Sequence, residues 1–226
     1  MATEIVIFPI KEGDLPNDLS TPAGKVFQEI LHEVLQQPGA QRAYWGTEVE
    51  NPTNARLFID WDSVDAHKNF MNSDIYKPFG EKFAKVTDLS QIQMFHANLK
   101  PHPPSQVLSK NNSPATEILL LYFPTDYSQA DQDKFEADCQ KLLGIVEKNS
   151  DKYTANAGGW VVEDLTIPGT EEKAKAYSAQ IGWKSVQDHL DFRSHDAFKE
   201  NIYLLRGAKD LKKLAVVHYH GNEVSK

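Results

Sequence analysis

Trp61-Asp-Ser-Val-Asp-Ala-His-Lys-Asn-Phe-Met-Asn-Ser-Asp74 and Trp183-Lys-Ser-Val-Gln-Asp-His-Leu-Asp-Phe-Arg-Ser-His-Asp196 are two copies of one segment. They align without a gap, and Trp, Ser, Val, His, Phe and Asp recur at a constant offset of 122 residues, from position 61 to position 183 at the tryptophan. A segment repeated at a long fixed distance indicates a duplicated folding unit. The chain is therefore predicted to contain the same unit twice.

The residues around the first copy predict the element order βαββαβ. A polar, proline-containing loop after the first strand leads to Pro22, which suits the first turn of a helix, and Ser63 is a suitable N-cap for the next helix. Apolar periodicity and turn residues then indicate strands at 4–8, 41–48, 56–61 and 91–97, and helices that begin at Pro22 and after Ser63.

The same order begins again after a proline-rich stretch. The predicted domains are residues 1–98 and 116–226, joined by a linker at 99–115 that contains four prolines. Thr116-Glu-Ile repeats Thr3-Glu-Ile at the start of the second unit. The expected elements there are strands at 116–123, 158–165, 176–183 and 214–220, helices at 129–148 and 185–206, and an insertion at 166–175 in the second hairpin.

A βαββαβ unit is a ferredoxin-like α+β fold: a four-stranded antiparallel sheet with both helices on one face. The other sheet face is predicted to carry large groups as well, because neighbours such as Tyr44 and Trp45 point to opposite sides of one strand. Such a face must be covered. The two sheets are therefore expected to pack together as an intramolecular dimeric α+β barrel, a monomer with an internal pseudo-dimer, with a homodimer as the alternative.

Composition excludes several classes of partner. A formal net charge of −8 over 226 residues and a pI near 5.5 argue against nucleic acid, which requires a basic face. The single cysteine, Cys139, excludes an internal disulfide and lies among apolar positions of a helix, so it is expected to be a packing residue. The first ten residues lack a basic region, and their apolar run is too short for a signal peptide or membrane span, so a cytoplasmic protein is expected.

Three stretches of the first half resemble the antibiotic biosynthesis monooxygenase (ABM) domains of the dimeric α+β barrel superfamily. They are Tyr44-Trp-Gly-Thr-Glu-Val-Glu-Asn-Pro52, Trp61-Asp-Ser-Val-Asp-Ala-His67 and Phe70-Met-Asn-Ser-Asp-Ile-Tyr-Lys-Pro-Phe79. The second half resembles these domains mainly around its copy of the repeat, and the whole is similar to tandem fungal members. The resemblance implies the fold but leaves the activity open. The superfamily includes cofactor-independent monooxygenases on phenolic polyketides, haem-degrading enzymes, cyclases, decarboxylases and stress proteins.

Departures from the family patterns narrow this range. The haem-degrading members resemble one another through an Asn in the first strand and a His about ten residues after a Trp. Here neither first strand contains Asn, and the position ten after Trp61 is Met71. The stress-responsive cyclases carry a His in the first strand, which is also missing from both units. No haem, and no other cofactor, is expected.

The catalytic candidates are His67, Tyr44 and Tyr76. His67 and His189 occupy equal places in the repeat, on the apolar face of a helix, where an imidazole can act as a base near neutral pH. The alternative is that each one binds a nearby group and fixes the helix, and retention in both halves favours this structural role. Function is expected where the halves differ, at Tyr44, Trp45, Met71, Tyr76 and the insertion at 166–175.

A second group of residues is predicted to line a ligand pocket. Trp61 and Trp183 end their strands where a helix begins and can stack on a planar ligand or simply fill the core. Trp160 is expected to be the counterpart of Trp45. The predicted ligand-binding residues are Trp45, Trp61, Phe70, Met71, His96, Trp160, Trp183 and His189.

Histidines near the ends of the last strands are candidate metal ligands. His96 and His220 both lie near the ends of the predicted last strands, and His218 and His220 form an H-x-H pair on one strand. A metal site needs a third ligand, and no candidate third ligand lies at a sequence spacing typical of metal sites. No metal is therefore expected.

The resemblance and these residues predict an enzyme of natural-product or aromatic metabolism that binds a small aromatic or polyketide-like ligand. The leading hypothesis is a cofactor-independent monooxygenase on a phenolic or enolisable polyketide, with His67 or a tyrosine as the base. The alternatives are a polyketide cyclase or dehydratase on the same scaffold, and a non-catalytic, stress-related or ligand-binding barrel.

Overall fold

A computed structural model describes residues 1–11, 20–224 and 226. The loop predicted before Pro22 falls largely at residues 12–19, outside the described residues. The chain divides into two compact units, Met1–Asn98 with Tyr219–Lys226, and Leu99–His218. Within the described residues, no helix is both long and apolar enough to cross a membrane.

The first unit follows the predicted order. Its elements are β1 (Ala2–Pro9), α1 (Pro22–Leu35), β2 (Ala40–Thr47), β3 (Asn54–Trp61), α2 (Val64–Met71), α3 (Tyr76–Phe83), a short 3-10 helix (Leu89–Gln91) and β4 (Gln93–Ala97).

The second unit repeats this order with more interruptions. Its elements are α4 (Ser105–Leu108), β5 (Ala115–Phe123), α5 (Gln129–Asn149), β6 (Tyr153–Trp160), β7 (Leu165–Thr166), β8 (Lys173–Trp183), α6 (Val186–Phe192), α7 (Asp196–Lys199), α8 (Tyr203–Arg206) and β9 (Lys213–Tyr219), followed by β10 (Asn222–Val224).

Both sheets are antiparallel wherever their register is described, and each contains five strands. The first has the order β10-β2-β3-β1-β4, and the second has the order β6-β8-β5-β9 with β7 paired to β8. The prediction of two tandem ferredoxin-like α+β units is confirmed. The packing of the two sheets against each other stays a prediction.

Local signals explain the helix starts. The Thr21 hydroxyl accepts a hydrogen bond from the backbone N–H of Gly24 at 3.0 Å, and Pro22 occupies the first turn of α1. Ser63 caps α2 in the same way, as predicted, through the N–H of Ala66 at 3.1 Å. The α1 face that carries Phe27 packs on the sheet side that carries Trp45, and together they form the core of the first unit.

Three parts of the second half differ from the predictions. The stretch expected to be a linker, 99–115, contains α4 and buries Val107 and Leu108. Burial of these apolar side chains is favourable because it removes their surface from water. β6 begins five residues earlier than the strand predicted at 158–165, since its half-exposed polar start resembles a loop. The helix expected at 185–206 is three short helices.

The last strand of the chain was not predicted at all. β10 pairs antiparallel with β2, where Asn222 lies opposite Trp45 and Val224 lies opposite Ala43. A three-residue strand with little apolar alternation gives no periodic signal. It belongs to the first unit, so the carboxyl-terminal residues complete the first sheet.

Candidate active site

The strands of the first unit gather one set of side chains on the helix-covered face of the sheet. Glu4 in β1 lies opposite Ile59 in β3 and opposite His96 in β4. Cross-strand partners project to the same side, so the Glu4 and His96 side chains are neighbours. Trp61, two residues beyond Ile59, projects to that side as well.

Helix α2 brings the fourth member of this set. The cap at Ser63 fixes the start of the helix and turns His67 and Phe70 toward the sheet, where both are buried. The imidazole of His67 stacks on the indole of Trp61, with a centroid distance of 4.9 Å and an interplanar angle of 21°. We call Glu4, Trp61, His67 and His96 the first Glu-His cluster.

Hydrogen bonds connect the four side chains. Trp61 Nε1–H donates to Glu4 Oε2 at 2.8 Å, and His67 Nε2 lies 3.5 Å from the same oxygen. On its other side, His67 Nδ1 is 2.8 Å from His96 Nε2. A carboxylate as buried as Glu4, only 4% exposed, requires such polar partners to offset its loss of water. His67 is therefore held between a carboxylate and a second imidazole.

A cavity of about 400 Å³ adjoins this cluster, between the sheet and the helices of the first unit. Its polar lining comes from Glu4, His67 and Tyr76. The remaining walls are apolar or aromatic: Val6, Val34, Leu57, Ile59, Phe70, Phe79, Gly80, Phe83, Leu89, Ile92 and Met94. A mainly apolar pocket with a few convergent polar groups is the usual form of a small-molecule site.

Tyr76 supplies a neutral phenol to the cavity. Burial raises the pKa of its hydroxyl, and the negative charge of Glu4 raises this pKa further. Its ring packs edge-on against Phe70, with centroids 5.2 Å apart. At neutral pH the hydroxyl keeps its proton and can donate a hydrogen bond to a ligand oxygen.

The second unit contains the same arrangement. Trp183 Nε1–H donates to Glu117 Oε2 at 3.3 Å, and His189 Nε2 lies 3.4 Å from that oxygen. His189 Nδ1 is 2.7 Å from His218 Nε2, and the His189 ring stacks on Trp183 at 5.2 Å. We call these residues the second Glu-His cluster. Each unit thus contains one Glu-His cluster, and this repetition favours the predicted structural role of the repeated Trp and His.

The predicted site residues of the first unit fall into two groups. His67, Tyr76 and Phe70 line the cavity, and Trp61 and His96 stand directly behind His67. Trp45, in contrast, packs edge-on against Phe27 in the core, and the half-buried Met71 is not a lining residue of this cavity.

Tyr44 lies on the opposite face of the sheet from the cavity. It is fully buried, and its hydroxyl is 3.5 Å from Asp60 Oδ2. Burial, followed by the charge of Asp60, raises the pKa of this phenol well above its usual value. The structure therefore separates Tyr44 from His67, with which it was grouped as a catalytic candidate.

Trp160 is not the counterpart of Trp45. Trp45 pairs with Leu57, and the position 122 residues after Leu57 is Ala179, which pairs with Gly158. A side chain at Gly158 would collide with Tyr177, since an added Cβ would stand 2.6 Å from the phenol oxygen. Trp160 instead joins the aromatic core of the second unit, where it contacts Phe123, Tyr127, Phe135 and Tyr177.

Glu4 and Glu117 were not among the predicted site residues, and His218 was considered only as part of the H-x-H pair. The offset of 122 residues relates His96 to His218, which is buried, whereas His220 is exposed. The repeat of Thr3-Glu-Ile at Thr116 marked both glutamates. Over residues 1–11, 20–224 and 226, no three His, Cys, Asp or Glu side chains form a metal-binding group.

The face that carries Tyr44 offers a pH-dependent stability effect. Thr3 Oγ1–H donates to Asp60 Oδ1 at 2.7 Å, yet burial of Asp60 raises the pKa of its carboxyl group to about 6. In the unfolded chain this pKa is about 4, so the folded state holds a proton that the unfolded chain releases between pH 4 and 6. The Asp60 contribution to the free energy of unfolding therefore falls as pH rises through this range.

Asp60→Asn is expected to remove this dependence and to raise the free energy of unfolding at pH 7 by about 2–3 kcal/mol. Urea denaturation of the wild type and the variant at pH 4.5, 5.5 and 7 measures the difference. Asp62→Asn, at an exposed position, is the control and should leave the pH profile unchanged. A variant that is less stable than the wild type at pH 7 and equally stable at pH 4.5 would contradict the argument.

Fold and site together define the class of protein: a tandem α+β chain of ferredoxin-like units, the first of which holds a cavity between sheet and helices. Residues 21–82, which include His67 and Tyr76, match the family model described as antibiotic biosynthesis monooxygenase. This match lies within the first unit. The second unit repeats the topology and the Glu-His cluster of the first.

Solved structures share this fold over the whole chain. An anthrone oxidase-like protein has a TM-score of 0.67 at 14% identity, with 99% of this chain and 92% of that chain covered. A candidate monooxygenase from Lactobacillus acidophilus NCFM has a TM-score of 0.58 at 13% identity, with 99% and 95% covered. A candidate monooxygenase from Fusobacterium nucleatum subsp. nucleatum ATCC 25586 has a TM-score of 0.55 at 10% identity, with 100% of this chain and 94% of that chain covered. A comparison with curated protein sequences gave no match.

Proposed function

We propose that the first unit is a cofactor-independent oxygenase that acts on a phenolic or enolisable aromatic compound in the cavity beside His67. The observation that carries this proposal is the position of His67, held between Glu4 and His96 in the wall of an otherwise apolar cavity. The ABM match and the fold shared with an anthrone oxidase-like protein support the reaction class. An anthrone is therefore the substrate with which we formulate the reaction.

His67 is the proposed base. When its proton is on Nδ1 and is donated to His96 Nε2, Nε2 is the basic atom of the ring. This nitrogen lies 3.5 Å from Glu4 Oε2, so the imidazolium formed by proton uptake has a carboxylate beside it. Stabilisation of the charged form in this way is what a buried general base requires.

Oxidation of an anthrone to the anthraquinone consumes one O2 and releases one water. His67 takes a proton from the methylene carbon, and the electron pair of that C–H bond passes into the ring system as an enolate. The enolate carbon transfers electrons to O2 and forms a C–O bond, and the resulting peroxide takes the proton from His67. Loss of the second methylene proton to His67 then breaks the O–O bond, forms the carbonyl and releases hydroxide, which leaves as water with that proton.

The rest of the cavity assists this chemistry by binding and orientation. The neutral Tyr76 hydroxyl can donate to the enolate oxygen and stabilise the charge that develops there. The rings of Phe70 and Phe79 provide flat apolar surfaces for an aromatic substrate, and they exclude water from the reactive carbanion.

Oxygen consumption tests the proposal. The purified protein, treated with a chelator, should consume one O2 per molecule of dithranol (1,8-dihydroxyanthrone) at a rate above that of uncatalysed autoxidation, and should yield the quinone. The same incubation without O2 should leave dithranol unchanged. Anaerobic turnover to a cyclised or dehydrated product would favour a cyclase, and absence of any turnover across a panel of anthrones and resorcylic polyketides would refute the oxygenase proposal.

A further inference from the structure

The two units share the Glu-His cluster but differ in the helix surface above it. In the first unit, Tyr76, Phe79, Gly80 and Phe83 lie on one face of α3, with the spacing i, i+3, i+4 and i+7, and all four line the cavity. Gly80 is the small member of this face. Because this glycine has no side chain, the cavity is wider at that point.

Ile202 is the structural equivalent of Gly80 in the second unit. The offset of 122 residues relates them, and so do matching backbone hydrogen bonds: Ala84 N–H donates to Gly80 O at 2.8 Å, and Arg206 N–H donates to Ile202 O at 2.9 Å. One turn earlier, Tyr76 N–H donates to Ser73 O, and Phe198 N–H donates to His195 O in the same way. The equivalence thus rests on backbone geometry as well as on sequence.

The space at these two positions is used differently. A Cβ added to Gly80 would meet no atom within 4 Å, so a side chain there has open space before it. Ile202, in contrast, packs against the second unit's core, which includes Leu119 and Leu205. At the place where Gly80 leaves space in the first unit, the second unit therefore has a branched side chain that packs on its core.

We propose that Gly80 is a specificity-determining residue that allows the first cavity to accept a fused polycyclic ring system, and that Ile202 denies such a ligand to the second unit. This inference rests on the proposed function, because it names the substrate class of the same site. It predicts one polycyclic ligand per chain, bound in the first unit, although both units retain the histidine pair. The second Glu-His cluster then serves only the scaffold.

Anaerobic binding measurements test the inference without requiring turnover. Isothermal titration with dithranol should give one site per wild-type chain. Gly80→Ala, which places one methyl group in the cavity, should weaken dithranol binding on the order of 10-fold. It should leave the binding of the single-ring phenol resorcinol within about twofold of the wild type. Gly80→Ile should abolish saturable dithranol binding.

Gly144→Ile is the matched control, because this glycine is an exposed helix position with no atom near an added Cβ. It should bind dithranol as the wild type does. Circular dichroism and thermal unfolding verify the fold of each variant, and Gly80→Ala remains decisive if Gly80→Ile does not fold, since alanine favours helix over glycine. Wild-type affinity for dithranol in Gly80→Ala, equal losses for dithranol and resorcinol, or two dithranol sites per wild-type chain would each overturn the inference.

The two proposals fail in distinguishable ways. One outcome is that dithranol binds at one site per chain and Gly80→Ala weakens the binding of dithranol but not of resorcinol, while no O2 is consumed. The oxygenase proposal is then wrong and the size inference stands. If dithranol is oxidised and Gly80→Ala does not discriminate, the size inference is wrong alone. A wild-type chain that does not bind dithranol overturns the size inference, whereas the oxygenase proposal is refuted only by absence of turnover across the panel of anthrones and resorcylic polyketides.

Discussion

Replacement of His67 by alanine is expected to lower kcat/KM for O2-dependent oxidation of dithranol by about 10²–10⁴-fold, the usual contribution of a positioned general base. The reason is geometric: His67 is the imidazole that borders the cavity and is held by both Glu4 and His96. Initial rates of O2 consumption with the wild type and the variant, corrected for autoxidation, measure the effect.

His189→Ala is the matched control for this prediction. It removes the equivalent imidazole of the second Glu-His cluster, with the same stacking tryptophan and the same paired histidine. Because the proposed reaction takes place in the first unit, the control should keep kcat/KM within a few-fold of the wild type. Equal losses in the two variants would show that the histidines act on stability, and an unchanged rate in His67→Ala would exclude this residue as the base.

The second large effect is expected at Trp61, whose replacement by alanine should lower the free energy of unfolding by about 3–5 kcal/mol. The side chain is fully buried, stacks on His67 and donates to Glu4. Its loss would leave a large cavity and remove a donor from a buried carboxylate. Urea denaturation followed by far-ultraviolet circular dichroism measures the change.

Trp61→Phe separates the two causes. It keeps an aromatic ring in the core but cannot donate to Glu4, so the expected loss is the smaller one, about 1–3 kcal/mol. Trp183→Ala should be as destabilising as Trp61→Ala, because Trp183 is 2% exposed and donates to Glu117. A loss below about 1 kcal/mol in both alanine variants would contradict the structural role assigned to the repeated tryptophans.

The fold was largely predictable because its signals are local. The start of α1 at Pro22 and the cap at Ser63 are encoded within a few residues, and the repeated Trp-to-Asp segment determined the number of units. The elements that escaped prediction depend on distant partners. β10 is a strand because β2 offers it an edge, and Val107 and Leu108 are buried by tertiary packing rather than by a pattern of their own.

The candidate site was predictable in its helix and strand-end residues but not in its acidic partners. His67 and Trp61 were recognisable from the repeat, whereas a glutamate in a strand is ordinarily solvent-exposed. Glu4 is buried because Trp61, 57 residues later, donates to it and because β4 brings His96 beside it. Such a contact follows from strand register, which one sequence does not reveal residue by residue.

Alternation along β2 shows the same limit. Tyr44 and Trp45 were known to point to opposite faces, but which of them would face the helices depended on the packing of α1. The structure turns Trp45 to the helix layer and Tyr44 toward Asp60. The Glu-His cluster is present in both units, whereas Tyr76 of the first unit has Phe198 as its equivalent in the second.

A crystal structure of the protein with dithranol, prepared without O2, tests the central claim most directly. We predict one dithranol molecule per chain, in the cavity of the first unit, with its methylene carbon about 3–3.5 Å from His67 and an oxygen within hydrogen-bond distance of the Tyr76 hydroxyl. Dithranol bound only outside this cavity, or against the second Glu-His cluster with the first cavity empty, would contradict the claim.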